Sequence, residues 1–204
     1  MKQTLIVMVK EPRAGRVKTR LGRDIGMTAA AWWFRHQVRA LLWRVEDPRW
    51  QIVLAVAPDV AGMNSRFWPT HLPRVPQGAG DLGARMARML RMGLGPACVI
   101  GADIPGITRV RVAEAFRALG DHDAVFGPAP DGGYWLVGLK HPARQPSGFM
   151  QGVRWSTEHA LADTVLTLRG QRIVQVAALR DVDTVDDLAP KPGIKAMARR
   201  ASYI

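Results

Sequence analysis

Residues 4–9 read TLIVMV, six consecutive positions with no polar alternation and four β-branched side chains. A strand with one wet face alternates apolar and polar residues, whereas an unbroken run of this length fits a strand covered on both faces, as in a parallel sheet. Working outward, residues 28–45 place Ala30, Trp33, Phe34, Val38, Leu41, Leu42 and Val45 at spacings of three and four, which predicts a helix with one buried stripe. Residues 51–57 (QIVLAVA) repeat the strand pattern and stop at Pro58-Asp59. Residues 97–101 (ACVIG) repeat it again before Ala102-Asp103-Ile104-Pro105, where proline ends the strand. Further helices are predicted over 81–92, with Leu82, Met86 and Met89 or Leu90 on one face, and over 110–119 and 157–168. Short strands are predicted over 124–127, 134–139 and 172–176. The Pro-rich passage 68–76 is read without a strand, and the C-terminal residues as a loop and a basic helix. Strands alternating with helices define an α/β fold, a three-layer α/β/α sandwich with a mainly parallel sheet. Ligands of such sheets sit beyond the carboxyl ends of the strands. The loops holding Lys10 to Arg20, Asp59, Asp103 and Asp131 all follow strands and are therefore expected along one edge.

The 204 residues are 48% hydrophobic and 23% charged, enough for one core, so a single domain over 1–204 is expected. Lys and Arg number 29 against 17 Asp and Glu, a net charge of +12 that keeps nucleic acid, anionic membranes and phosphorylated substrates in consideration. Arginines outnumber lysines 23 to 6 and are scattered from Arg13 to Arg200, which excludes a basic tail. Trp32, Trp33, Trp43 and Trp135 fall in helix or strand patterns and are read as buried, which counts against a stacking surface for nucleic acid. The one cysteine, Cys98, lies in an apolar strand and excludes a disulfide framework or a Cys-based zinc site. No run of about 18 apolar residues predicts a membrane span, and the first ten residues are too short for an export signal. A soluble cytoplasmic protein without membrane insertion is expected.

The loop Lys10-Glu11-Pro12-Arg13-Ala14-Gly15-Arg16-Val17-Lys18-Thr19-Arg20 packs its basic side chains between a buried strand and a helix. Phosphate is the ligand that suits it. Gly15 and Gly22 let the backbone turn its N–H groups toward an anion, Lys18 supplies a point charge, and Arg20 offers a planar pair of donors to phosphate oxygens. A solvated basic loop is the plain alternative. The loop is no Walker A sequence, because Val17 precedes the lysine where that pattern needs glycine. Gly78-Ala79-Gly80-Asp81-Leu82-Gly83 matches a dinucleotide fingerprint by letter but lacks the preceding apolar strand. As a Gly-rich loop opening a helix, it still offers N–H groups and Gln77 to a base or ribose. Asp103, at the end of a buried strand and followed by proline, suits Mg²⁺, which takes one or two carboxylates and completes its shell with substrate phosphate and water. Thr108 is the better cap for the next helix. Asp181 and Asp183 offer a second metal ligand or helix capping equally, and Thr184 with Asp187 reads as a capping pair. Asp131-Gly132-Gly133-Tyr134 reads as a tight hairpin able to position an acceptor hydroxyl or phosphate, while Trp155 offers a stacking ring and Ser156 a helix cap.

Taken in order, Lys10-Glu11-Pro12…Gly15…Lys18-Thr19-Arg20-Leu21, Gln77…Gly80-Asp81-Leu82-Gly83…Arg85-Met86, Gly101-Ala102-Asp103-Ile104-Pro105-Gly106, Asp131-Gly132-Gly133-Tyr134-Trp135-Leu136 and Trp155-Ser156-Thr157 span most of the chain. The set resembles bacterial glycosyltransferase-like proteins of the GT-A, or nucleotide-diphospho-sugar transferase, superfamily. It is also similar to phospholactate guanylyltransferase and, more distantly, to molybdenum cofactor guanylyltransferase. The resemblance implies a nucleotide site including Lys10, Gly15, Lys18, Arg20, Gln77, Gly80 and Asp81. It also implies Mg²⁺ or Mn²⁺ on Asp103 and Asp183, and an acceptor site near Asp131, Gly132, Gly133, Tyr134, Trp155 and Ser156. Lys18 and Asp103 stand where such enzymes carry the phosphate-binding lysine and the metal-binding aspartate, the two residues expected to be catalytic. The Asp-any-Asp motif of the glycosyltransferases is absent, since Gly101 and Pro105 flank Asp103 at that spacing. The leading expectation is nucleotidyl transfer from a nucleoside triphosphate to a phosphorylated acceptor. Glycosyl transfer from a nucleotide-sugar to a sugar acceptor is the alternative, and non-catalytic nucleic-acid binding a remote one.

Overall fold

A computed structural model describes residues 2–182 together with Thr184 and Asp187. The apolar run at the start becomes strand β1 (Gln3–Lys10). Leu5, Val7 and Val9 pack into one hydrophobic cluster and Ile6 into a second on the opposite face, so the run is apolar because both faces are covered. There follow α1 (Thr19–Ile25), α2 (Met27–Val45), β2 (Trp50–Ala57), α3 (Asp59–Asn64), β3 (Arg74–Pro76), α4 (Leu82–Arg91) and β4 (Ala97–Ile100). The remaining elements are α5 (Arg109–Ala118), β5 (Ala124–Pro128), β6 (Tyr134–Leu139), α6 (Ala160–Leu166) and β7 (Ile173–Gln175).

The seven strands form one sheet in the order β3-β2-β1-β4-β6-β5-β7. β1 lies parallel to both β2 and β4, β2 to β3, and β5 to β7, while β6 runs antiparallel to β4 and β5. The reversal is made by the turn 128–133, in which Ala129 donates to the Gly133 carbonyl at 2.9 Å and Gly132 to that of Ala129 at 3.1 Å. Val38, Leu41 and Val45 of α2 and Val112 and Phe116 of α5 fill the first cluster, and Met86, Met89 and Leu90 of α4 the second. The result is the expected three-layer sandwich with a mainly parallel sheet. Thr108 caps α5, its hydroxyl accepting from the Arg111 N–H at 3.4 Å.

Several features depart from the expectations of the sequence, and two short helices, α1 and α3, stand where loops after strands were expected. The Pro-rich passage contains β3, and the carbonyl of Pro73 just before it accepts from Leu54 at 2.9 Å; prolines are tolerated there because the strand is at the sheet edge. Trp32 and Trp43 are 62% and 77% exposed, because they flank the buried stripe of α2 instead of lying in it. Leu82 is also exposed, standing in the first turn of α4 ahead of the buried Met86. Finally, α6 starts only at Ala160, because residues before it form turns, with the Thr157 hydroxyl donating to the Arg154 carbonyl at 2.7 Å. The basic C-terminal helix read from the sequence lies outside the described residues.

The connection from α2 to β2 is held by Asp47, whose carboxylate accepts from Arg49 Nε at 2.8 Å, Nη2 at 2.9 Å and the Arg49 backbone N–H at 3.0 Å. Those side-chain hydrogen bonds, ahead of every other influence, hold its pKa down to about 2. An unfolded aspartate titrates near about 3.9, so this clamp stabilises the fold fully above that pH and loses its contribution as pH falls toward 2. Asp47→Asn is therefore expected to lower the urea midpoint at pH 6 and to shrink the wild-type advantage progressively below pH 4. A difference that stays constant down to pH 2 would contradict it.

Candidate active site

Beyond the carboxyl ends of β1 and β4 opens a cleft of about 890 Å³. β1 ends in it with Lys10, the loop that follows adds Arg16 and Lys18, and the first turn of α1 adds Arg20. The β3–α4 loop contributes Gln77, Gly80 and Asp81, the end of β4 Gly101 and Asp103, and the β5–β6 turn Asp131. Ser156, Thr157 and Glu158 enter from the segment before α6, and Asp181 from the chain after β7. Strand-following loops thus do converge along one edge, as parallel topology requires.

Lys18 and Asp103 are joined. The Lys18 side chain is 7% exposed, with Nζ 2.7 Å from Asp103 Oδ2, while the Asp103 side chain keeps a third of its surface exposed. Lys18 sits in the left-handed region (φ 46°, ψ 47°) at the cap of α1, and its carbonyl accepts from Gly22 at 2.8 Å. That conformation costs a non-glycine residue about 1–2 kcal/mol, and it is where the chain turns from loop to helix with this ammonium directed inward. By sequence the lysine suits phosphate and the aspartate metal; the fold joins them in one ion pair at the cleft wall. The Val182 N–H lies 3.4 Å from the Asp103 carbonyl, bringing residues 181–182 beside it.

The loop 77–80 is held on every side. Gln77 is buried, with its amide donating to the Val9 carbonyl at 3.2 Å and the Ala55 carbonyl at 2.9 Å, so its donors serve the sheet and only its Oε1 remains for a ligand. Asp59 accepts from the Gly78 N–H at 3.1 Å, Arg88 donates to the Gln77 and Ala79 carbonyls, and Arg85 Nε donates to Gly80 at 2.9 Å. Asp81 caps α4, accepting from Ala84 at 2.8 Å, while also lining the cleft.

On the β5–β6 side, Asp131 Oδ1 accepts from the Gly133 N–H at 3.0 Å and lines the cleft. Gly132, at φ 83°, presses against the Glu158 backbone and accepts from Leu161 at 2.9 Å, docking the hairpin tip on the segment before α6. The Tyr134 hydroxyl lies 3.3 Å from Thr164 Oγ1, and burial pushes its pKa well above the usual tyrosine range. Its ring stands edge-on to Phe126 and Trp155. Gly15, Gly132, Gly133, Tyr134 and Trp155 do not line the cleft, whereas Ser156, at φ 61°, does. Asp183 lies outside the described residues; Thr184 and Asp187 form their capping pair, with the Thr184 N–H 3.0 Å from Asp187 Oδ2. Arg16, Arg85 and Glu158 also reach the cleft, beyond the site residues that the sequence nominates. For Arg85 the available signal was its helical position one turn after Asp81. For Glu158 there was none, because its placement depends on the glycine contact.

Among the described residues no three His, Cys, Asp or Glu side chains come together to hold a metal ion. Asp103 and Asp181 line the same cleft. Among the described residues a pair of carboxylates beside a basic loop suits Mg²⁺ or Mn²⁺ shared with substrate phosphates instead of enclosed by protein.

The strand order, with its one reversed strand, and a basic cleft at the strand ends define the class: a nucleotide-diphospho-sugar transferase-like α/β protein. The chain belongs to the DUF2064 family, described as uncharacterized protein conserved in bacteria, whose profile matches residues 42–157. The crystal structure of a candidate nucleotide-diphospho-sugar transferase from Desulfovibrio desulfuricans G20 is 30% identical, with a TM-score of 0.82, covering 92% of this chain and 85% of that one. Two more distant structures share the fold. Rv0371c from Mycobacterium tuberculosis H37Rv, in complex with manganese, is 14% identical with a TM-score of 0.53, covering 92% of this chain and 96% of that one. CMP:2-keto-3-deoxy-manno-octonic acid synthetase, in complex with CTP, is 12% identical with a TM-score of 0.56, covering 92% and 95%. No curated protein matches the sequence. No helix among the described residues is long and apolar enough to cross a membrane.

Proposed function

We propose that the protein is a metal-dependent, nucleotide-binding transferase of the cytoplasm that moves a nucleotidyl group from a nucleoside triphosphate to a phosphorylated acceptor. The observation that carries this reading is the Lys18–Asp103 pair at the wall of a cleft also lined by Lys10, Arg16 and Arg20. Lys10, Arg16 and Arg20 bind the triphosphate oxygens, and the Gly80 loop and Gln77 Oε1 face the base or ribose. Lys18 is fixed by Asp103, so its charge is oriented before substrate arrives and needs no reorganisation during the reaction. Asp103, with Asp181 and with Asp183 as the resemblance implies, would hold Mg²⁺ or Mn²⁺. The ion would supply charge neutralisation to the phosphates. Asp131, Ser156 and Glu158 meet the acceptor, on a wall that Gly132, Gly133, Tyr134 and Trp155 hold in place.

An acceptor phosphate oxygen forms the new bond to the α-phosphorus, and the bond from that phosphorus to the bridging oxygen breaks. Pyrophosphate leaves with the electron pair. The nucleophile is already anionic, so positioning and electrostatics suffice and no general base is needed. The relatives that bind CTP and manganese support this reading through the fold they share.

A thermal-shift panel of nucleoside triphosphates, diphosphates and nucleotide-sugars, each with and without Mg²⁺ or Mn²⁺, tests it. A ligand at a hundred times its Kd stabilises by roughly 2.7 kcal/mol, or roughly 5–10 °C for a chain of this size. A metal-dependent shift with one triphosphate is expected. A shift confined to a nucleotide-sugar would replace nucleotidyl with glycosyl transfer, and no shift with any would refute a nucleotide site.

A further inference from the structure

A second basic pocket, of about 340 Å³, lies on the other part of the loop that carries Lys18: Glu11, Pro12 and Arg13 line it, while Lys10 and residues 16–20 line the cleft. Arg35 and Arg39, one turn apart on α2, both set their guanidinium groups over the Phe67 ring, at 4.7 and 5.0 Å from its centroid. Like charges at this spacing on a helix repel, and Arg66 lines the same pocket. The one carboxylate present, on Glu11, is taken by Arg13, whose Nε lies 2.9 Å away. Among the described residues Arg35, Arg39 and Arg66 have no carboxylate partner. Four arginines against one glutamate thus converge on a concavity, an arrangement that raises the energy of the empty pocket and that an anion relieves.

We infer that this pocket is a second anion site, taking a small phosphorylated molecule through the planar donors of Arg35, Arg39 and Arg66. Guanidinium groups match phosphate oxygens in pairs, and the volume is that of a small-molecule site instead of an extended groove. A single-stranded nucleic acid would need an aromatic face for its bases, and Phe67 already has two guanidinium groups over it. The inference does not depend on the nucleotide reading. It does bear on the cleft, because Glu11 is anchored by its N–H to the Ala57 carbonyl at 2.7 Å, and an anion held next to Arg13 would steady the loop leading to Lys18.

The test uses inorganic pyrophosphate and the full chain, followed through the arginine side-chain Nε–Hε resonances, assigned with single Arg35→Gln, Arg39→Gln and Arg66→Gln variants. The Arg35, Arg39 and Arg66 signals are expected to shift with one saturating midpoint. Arg35→Gln/Arg39→Gln is expected to raise that midpoint at least tenfold, and Lys18→Ala to leave it within twofold. If the double variant does not fold, Arg66→Gln alone is expected to raise it several-fold, since that exposed side chain makes no other polar contact among the described residues. Signals that move only for Arg16 and Arg20, or a midpoint indifferent to these substitutions, would overturn the site. Displacement of pyrophosphate by a short oligothymidylate, with a steep salt dependence, would show a nucleic-acid surface in its place and overturn the small-molecule assignment.

Discussion

Gly132→Ala is expected to destabilise the protein by about 3 kcal/mol, lowering Tm by roughly 6–12 °C. A Cβ at this position would stand 2.1 Å from the Glu158 carbonyl oxygen and 2.4 Å from its Cα, and both are backbone atoms that no side-chain rotation can move. The residue is also at φ 83°, where an L side chain costs about 1–2 kcal/mol before any contact is counted. Forced overpacking adds about 1–3 kcal/mol. The same hairpin tip accepts the Leu161 N–H and borders the Ser156–Glu158 wall, so relief of the clash must displace part of the cleft. The variant should accordingly lose nucleotide or acceptor affinity even at temperatures where it is fully folded. Gly148→Ala is the control: nothing lies within 4 Å of its added carbon and no positive φ is involved, so a change within about 0.5 kcal/mol is expected. Equal urea midpoints for Gly132→Ala and wild type would show that the hairpin yields freely and does not fix the wall.

What could be read from the sequence was set by periodicity. The run at 4–9 and its repeats at 51–57 and 97–101 became β1, β2 and β4, the parallel centre of the sheet, because strands buried on both faces leave no polar positions. β3 was hidden by its prolines, whose tolerance depends on an edge position that only the assembled sheet defines. The tryptophans of α2 show a related limit. Trp33 is partly buried and Trp32 exposed, a difference of one residue that aromatic content cannot express and helical phase decides. In the cleft, loops following strands placed Lys10, Lys18, Arg20, Gln77, Gly80, Asp81, Asp103 and Asp131 on one edge. Pairing was not legible. That Gln77 would spend its donors on Val9 and Ala55, or that Lys18 would meet Asp103, follows from side chains converging across 68 and 85 positions of sequence.

That pairing makes Asp103→Asn the most informative change in the cleft. Asparagine keeps the volume and can still accept from Lys18 Nζ, but it carries no charge to hold a metal or to balance the ammonium. Nucleotide Kd in the presence of Mg²⁺ is expected to rise at least tenfold, about 1.4 kcal/mol, and the difference between affinities with and without metal to vanish. Because the lysine side chain is nearly buried while the aspartate is a third exposed, the cost to stability falls below the 3–5 kcal/mol of a fully buried broken pair. A loss of about 1–2 kcal/mol is expected by that discount. Lys18→Ala should also weaken nucleotide binding at least tenfold, but with the metal response of the remaining affinity preserved. If the two act as a pair, the double variant will bind little worse than Asp103→Asn alone, a non-additivity of about 1 kcal/mol or more in a double-mutant cycle. Strict additivity would mean that the lysine acts on phosphate and the aspartate on metal independently, with the 2.7 Å contact serving only to hold the wall. A wild-type metal response in Asp103→Asn would remove the aspartate as a ligand altogether and leave Asp181 as the carboxylate to test.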